Sequence, residues 1–137
     1  VVAIPDLELR TVTMRDILPS SYSKDDTVFA VGHVALLVGA LATGKVDMLS
    51  EAMQDTLHQP YRSPFVPCLD ELLQEGRKHG ALGAALSGAG PSLIAFTKNK
   101  EEKLVSYLKK RYAEKNIAAE IGIVPIDTCG ARVENSQ

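Results

Sequence analysis

From Thr27 to Gly44 the chain runs for eighteen residues without an Asp, Glu, Lys or Arg, and no other feature restricts its fold as strongly. A run of that length is close to the minimum for a membrane-spanning helix. It is diluted by Gly32, Gly39, His33 and several alanines, and charged residues flank it at Asp25, Asp26 and Lys45. Helices that are apolar on every side sit inside proteins. The sequence therefore predicts a buried core helix in a soluble domain, with no membrane partner. Ser23, Asp25 and Asp26 mark its start, where acidic side chains suit the positive end of the helix dipole, and Gly44 ends it. Gly32 and Gly39 are seven apart on one face, which predicts close packing there.

Around this helix the pattern is mixed. Val1–Thr11 reads as extended, and Thr11 or Thr13 can cap a short helical piece that ends before Pro19. A second, amphipathic helix is predicted over Val46–Asp55. Two prolines in His58–Pro64 predict a connection without regular structure. Pro67 sits in the first turn of a third helix, which Gly80 closes. Ala81–Ser87 and Ser92–Thr97 read as strand, loop, strand. Asn99 with Glu102 forms a capping-box start for a fourth helix, stopped at Asn116. Ala119–Ile126 and Ala131–Glu134 supply the last strands. The order predicts one α+β domain over 1–137, a mostly antiparallel sheet of about four strands covered by helices on one face.

Composition removes several classes of function. With 137 residues, 45% of them hydrophobic, the chain can bury one core. A net charge of −2 and no basic stripe argue against a nucleic-acid partner. Cys68 and Cys129 make neither a disulfide framework nor a metal site with any histidine, so reduced, cytoplasmic surroundings are expected and no metal ligand is predicted. No signal-peptide pattern opens the chain, and the missing initiator Met suggests a piece of a longer protein.

Four places could carry chemistry. The first is the glycine-rich loop Ser87-Gly88-Ala89-Gly90-Pro91-Ser92, whose backbone amides could approach an anion closely, or which could be only a tight connection between strands. It is neither a Walker loop nor a dinucleotide fingerprint. The second is Arg62, in the proline-pinned run His58-Gln59-Pro60-Tyr61-Arg62, where a guanidinium fork could grip a carboxylate or simply lie in solvent. Arg15 has the same two readings. His33 is the one titratable group on the long apolar helix, either a pocket residue or a core histidine bonded to a backbone carbonyl.

The runs Leu57-His58-Gln59-Pro60-Tyr61-Arg62 and Gly80 through Ser92 resemble the homoserine kinase branch of the GHMP small-molecule kinases, and Thr13-Met14-Arg15-Asp16-Ile17-Leu18-Pro19 extends the match over nearly the whole chain. The resemblance implies a ferredoxin-like C-terminal domain and transfer of the ATP γ-phosphoryl group to the hydroxyl of L-homoserine, with Mg2+, in threonine biosynthesis. It further implies that Arg15 and Arg62 hold the substrate carboxylate, with Gly88 and His33 at the acceptor pocket. Ser87, Gly88, Ala89, Gly90, Pro91 and Ser92 would support a phosphate-binding loop. That phosphate loop, a Pro-x-x-x-Gly-Leu-Gly-Ser-Ser-Ala-like helix start, is missing here. The chain is therefore expected to lack an N-terminal ATP-binding half, to be inactive alone, and to carry no tightly bound ATP. A homodimer is compatible with the family. The alternatives are a free-standing amino-acid-binding regulatory module, or the C-terminal domain of another GHMP kinase such as one acting on mevalonate.

Overall fold

The computed structural model describes residues 1–133. Strand β1 (Val2–Pro5) leads into α1 (Thr11–Asp16), the long α2 (Lys24–Thr43), the short α3 (Leu49–Ala52), the single turn α4 (Gln59–Arg62) and α5 (Leu69–Glu75). The hairpin β2 (Ala81–Leu86) and β3 (Leu93–Thr97), then α6 (Glu101–Glu114) and β4 (Ala119–Gly122), complete the order. All pairings are antiparallel, in one sheet ordered β2-β3-β1-β4. This is the ferredoxin-like βαββαβ arrangement. The α+β architecture expected from the sequence is the one observed.

The main core lies between this sheet and helices α5 and α6, where Ala3, Leu69, Leu72, Leu93, Leu104, Leu108 and Tyr112 are almost wholly buried. Strand β2 is lined with alanine and glycine because helices come close to it. A Cβ at Gly83 would lie 2.9 Å from the Leu49 backbone of α3, and the sheet register slips at this point. Burial raises the Cys68 thiol to about 11, so it is a packed core group and not a nucleophile.

Helix α5 is tied to the end of α6 by Glu71, whose Oε1 lies 2.6 Å from Lys115 Nζ and 3.4 Å from Arg111 Nη2. Burial alone would raise the Glu71 carboxyl, but the hydrogen bonds from Lys115 and Arg111 outweigh it and hold the group below its usual range. A carboxyl depressed in the folded state adds stability above its unfolded pKa, and that stability is lost as pH falls through the folded value. Glu71→Gln is therefore expected to lower the urea-unfolding free energy at pH 7. The gap from the parent should close as the pH drops below the carboxylate range. A gap that stays constant down to acid pH would reject the coupling.

Several local expectations need correction. Helix α2 starts as foreseen, with Ser23 Oγ accepting the Asp26 N–H at 3.0 Å, and Gly44 ends it in the left-handed region at φ 69. It is not a buried core helix, because Val28, Val31, Val34, Val38 and Leu41 are each more than half exposed. The reason is length. Twenty residues span about 30 Å, and the helix packs chiefly on the four-residue α3 and the turn before it, which in turn pack on β2. Nothing lies within 4 Å of a Cβ built at Gly32 or Gly39, so the close packing expected there is absent among the described residues.

Other elements moved by a few residues. The helix expected over Val46–Asp55 is a 3-10 turn plus the short α3. The connection at residues 58–64 does hold structure, α4 and a 3-10 turn, since both prolines fall in first turns, where no N–H is needed. At α1 the capping position is Arg10, not Thr11 or Thr13. At α6 it is Glu101, not Glu102, that reaches back to accept the Asn99 N–H, at 3.1 Å. Strand β4 stops at Gly122, and residues 131–133 form no strand; Glu134, the last residue of that expected strand, lies outside the described residues.

Candidate functional site

The site is organised by the run from Asp55 to Arg62. The Asp55 carboxylate accepts three backbone N–H groups, from Leu57 at 2.9 Å, His58 at 2.9 Å and Gln59 at 2.6 Å. Tyr22 donates its hydroxyl to the Leu57 carbonyl at 2.8 Å, fastening the same turn to the segment before α2. Out of this anchored turn rises α4, and it delivers two buried polar side chains. Gln59 and Arg62 are each 7% exposed. Gln59 Oε1 accepts the N–H of Leu86, the last residue of β2, at 2.8 Å. Arg62 donates from Nε to the Met14 carbonyl at 3.1 Å and from Nη1 to the Gly88 carbonyl at 3.0 Å.

A cavity of about 630 Å³ opens beside these groups, within the range of small-molecule sites. Arg15, His33, Arg62, Gly88 and Ala89 all line it. Both arginines thus border one cavity, with Gly88 and Ala89 of the glycine loop. They are not equivalent. Arg62 is buried, and among the described residues no carboxylate pairs with it. A guanidinium has five N–H donors; two are committed to Met14 and Gly88, which leaves three for a ligand. A buried, unpaired cation on a cavity wall favours an anion there. Arg15, which follows the buried Met14 in α1, is exposed and forms no ion pair among the described residues.

The glycine loop divides in two. Gly88 (φ 63) and Gly90 (φ 88) are both in the left-handed region that side chains avoid. Gly88 and Ala89 face the cavity, and a Cβ at Gly88 would meet open space. A Cβ at Gly90 would instead meet Leu86 at 3.0 Å and Val66 at 3.3 Å. Ser87, Gly90, Pro91 and Ser92 do not line the cavity; Ser87 and Ser92 close the loop through a 2.8 Å backbone bond. Because Gly88 turns its carbonyl toward Arg62 and a trans peptide is planar, the Ala89 N–H points the other way.

His33 is not a core histidine but a half-buried residue of α2. Its Nδ1 lies 2.8 Å from the Phe29 carbonyl, which can only accept, so Nδ1 carries the proton. The ring stacks on Phe29 and also lines the cavity, with Nε2 3.6 Å from Glu51 Oε1. Among the described residues no group of three His, Cys, Asp or Glu is placed to hold a metal ion. Asp55 and Gln59 were not singled out by sequence reading. The available signal was an acidic residue just ahead of a proline-led turn, a pattern that bonds to its own downstream amides.

Residues 37–114, more than half of the chain, match the family model described as GHMP kinases C terminal. The chain belongs to the GHMP kinases. Homoserine kinase of Deinococcus radiodurans is 43% identical over 99% of this chain and 45% of its own length. That of Synechocystis is 40% identical over 97% of this chain and 44% of its own. A crystal structure of homoserine kinase from Cytophaga hutchinsonii superposes with a TM-score of 0.81 at 30% identity, covering 87% of this chain and 38% of the other. This GHMP kinase chain therefore spans less than half the length of the curated relatives it matches.

Proposed function

We propose that this GHMP kinase chain is the acceptor-binding part of a homoserine kinase, which transfers the γ-phosphoryl group of ATP to the hydroxyl of L-homoserine. The observation that carries the reading is Arg62, a buried guanidinium without a carboxylate partner among the described residues, sharing one cavity with Arg15 and Gly88. In this reading the two arginines grip the homoserine carboxylate. The Gly88–Ala89 peptide, oriented by Arg62, offers its N–H on the far side. When ATP and Mg2+ are bound, they supply the phosphoryl group and its charge neutralisation. The chain's own residues hold the acceptor in line and keep its carboxylate away from the transferred group. Residues outside this chain would hold the nucleotide and the metal, and the complete enzyme would work in the cytoplasm on the route to threonine.

The test replaces the matching 45% of the Deinococcus radiodurans enzyme with this chain. The chimera is expected to phosphorylate homoserine in preference to mevalonate, and the chain alone to phosphorylate neither. Tight binding of homoserine or threonine by the chain alone, seen in a calorimetric titration, together with an inactive chimera, would favour a free-standing amino-acid-binding module and reject the proposal.

A further inference from the structure

We propose that Asp55 and Gln59 are positioning residues of this site, setting where Arg62 and the Gly88 peptide meet the cavity. The inference deepens the homoserine kinase reading, and its kinetic arm rests on that reading. Its starting point is the size of α4. One turn of helix cannot hold its own geometry in water, and Pro60 in its first turn lacks an N–H. The direction in which α4 points must therefore be imposed from outside.

Asp55 imposes it at one end. Its carboxylate, 22% exposed, takes the three consecutive N–H groups of Leu57, His58 and Gln59, so the residues leading into α4 cannot rotate without breaking short bonds to a charged acceptor. Gln59 imposes it along the helix. Positions three apart on a helix share a face, and here that face carries Gln59 and Arg62. Gln59 accepts from Leu86, and Arg62 donates to Gly88, so the pair grips the two ends of the Leu86-Ser87-Gly88 segment with opposite polarity. A slip of α4 along β2 would break both bonds at once and leave buried polar groups unpaired. The acceptor of Gln59 thus holds Arg62 in register, although neither Asp55 nor Gln59 has to touch the carboxylate that Arg62 is proposed to grip.

The test uses a full-length kinase carrying this chain, with Asp55→Asn and Gln59→Met compared against the parent. For each variant the KM for homoserine is expected to rise about tenfold while the KM for ATP stays within about twofold, because misplacement is confined to the acceptor side. In the same samples the Nε–H resonance of Arg62, protected by its bond to Met14, should exchange with water about tenfold faster. An unchanged homoserine KM in the folded variants overturns the proposal. So does an Arg62 Nε–H as protected as in the parent, whatever the turnover. A parent enzyme that does not phosphorylate homoserine would sink the functional reading instead, and the exchange measurement would still decide the positioning role. Should Asp55→Asn fail to fold, Gln59→Met, nearly isosteric but without the amide that accepts from Leu86, decides alone.

Discussion

Replacing Arg62 by alanine in a full-length kinase carrying this chain is expected to lower kcat/KM for homoserine by roughly 10- to 150-fold, equivalent to about 1.5–3 kcal/mol for lost charge-assisted hydrogen bonds. The side chain is 7% exposed and two of its donors are committed to the Met14 and Gly88 carbonyls, so the remaining donors reach a ligand from a fixed position. Truncation removes the cation and also leaves both carbonyls without a donor. Stability should therefore fall as well, and the folded fraction must be measured alongside the kinetics. Arg62→Lys separates the contributions. A lysine keeps the charge but cannot reproduce the fork, so most of the loss should persist. Arg15→Ala should cost less, because that side chain is exposed and helps fix no other part of the site. An Arg62→Ala enzyme with unchanged kcat/KM for homoserine would reject the carboxylate grip.

The second large effect falls on stability. Gly83→Ala is expected to lower the unfolding free energy by about 1–3 kcal/mol, the usual range for overpacking a core. A Cβ there would lie 2.6 Å from Met53 Sδ and 2.9 Å from both the carbonyl carbon and the oxygen of Leu49. The Met53 side chain can swing aside, but the Leu49 backbone can move only if α3 lifts away from β2. Met53, Gln54 and Asp55 line the cavity just beyond α3, so the same shift would widen the site. Denaturant unfolding of the parent and variant measures the loss; equal midpoints and slopes would show that α3 gives way freely. Gly88 offers a contrast, since a side chain there meets open space and its difficulty is the backbone angle, φ 63. Gly88→Asn, which tolerates that region better than alanine or valine, therefore tests the loop's role with the least strain.

The local reading went furthest where the determinants lie within a few residues of each other. Ser23 and Gly44 bracket α2 because a cap bonds to an amide three residues on and a left-handed stop depends on a single residue. The βαββαβ order followed from alternation and turn residues in the same way. The match at Arg15, at the run ending in Arg62 and at the glycine loop came from resemblance. Their meeting on one cavity is a property of the fold.

What only the tertiary structure decided depends on partners far apart in the chain. An eighteen-residue run without charge specifies a helix, but its burial depends on how much neighbouring surface exists, and α3 supplies only four residues of it. Two prolines looked like a reason for irregular structure between residues 58 and 64. They became the first turns of short helices once Asp55 and Tyr22 held the preceding segment. The bonds that Gln59 and Arg62 make across the fold were equally invisible, because their partners Leu86 and Gly88 stand 27 and 26 residues away. By itself the sequence determined which segments curl or extend, since caps, turns and periodicity act over one or two turns of chain. Which polar groups are buried, and what they hold in place, was settled only when distant segments packed and withdrew water from between them.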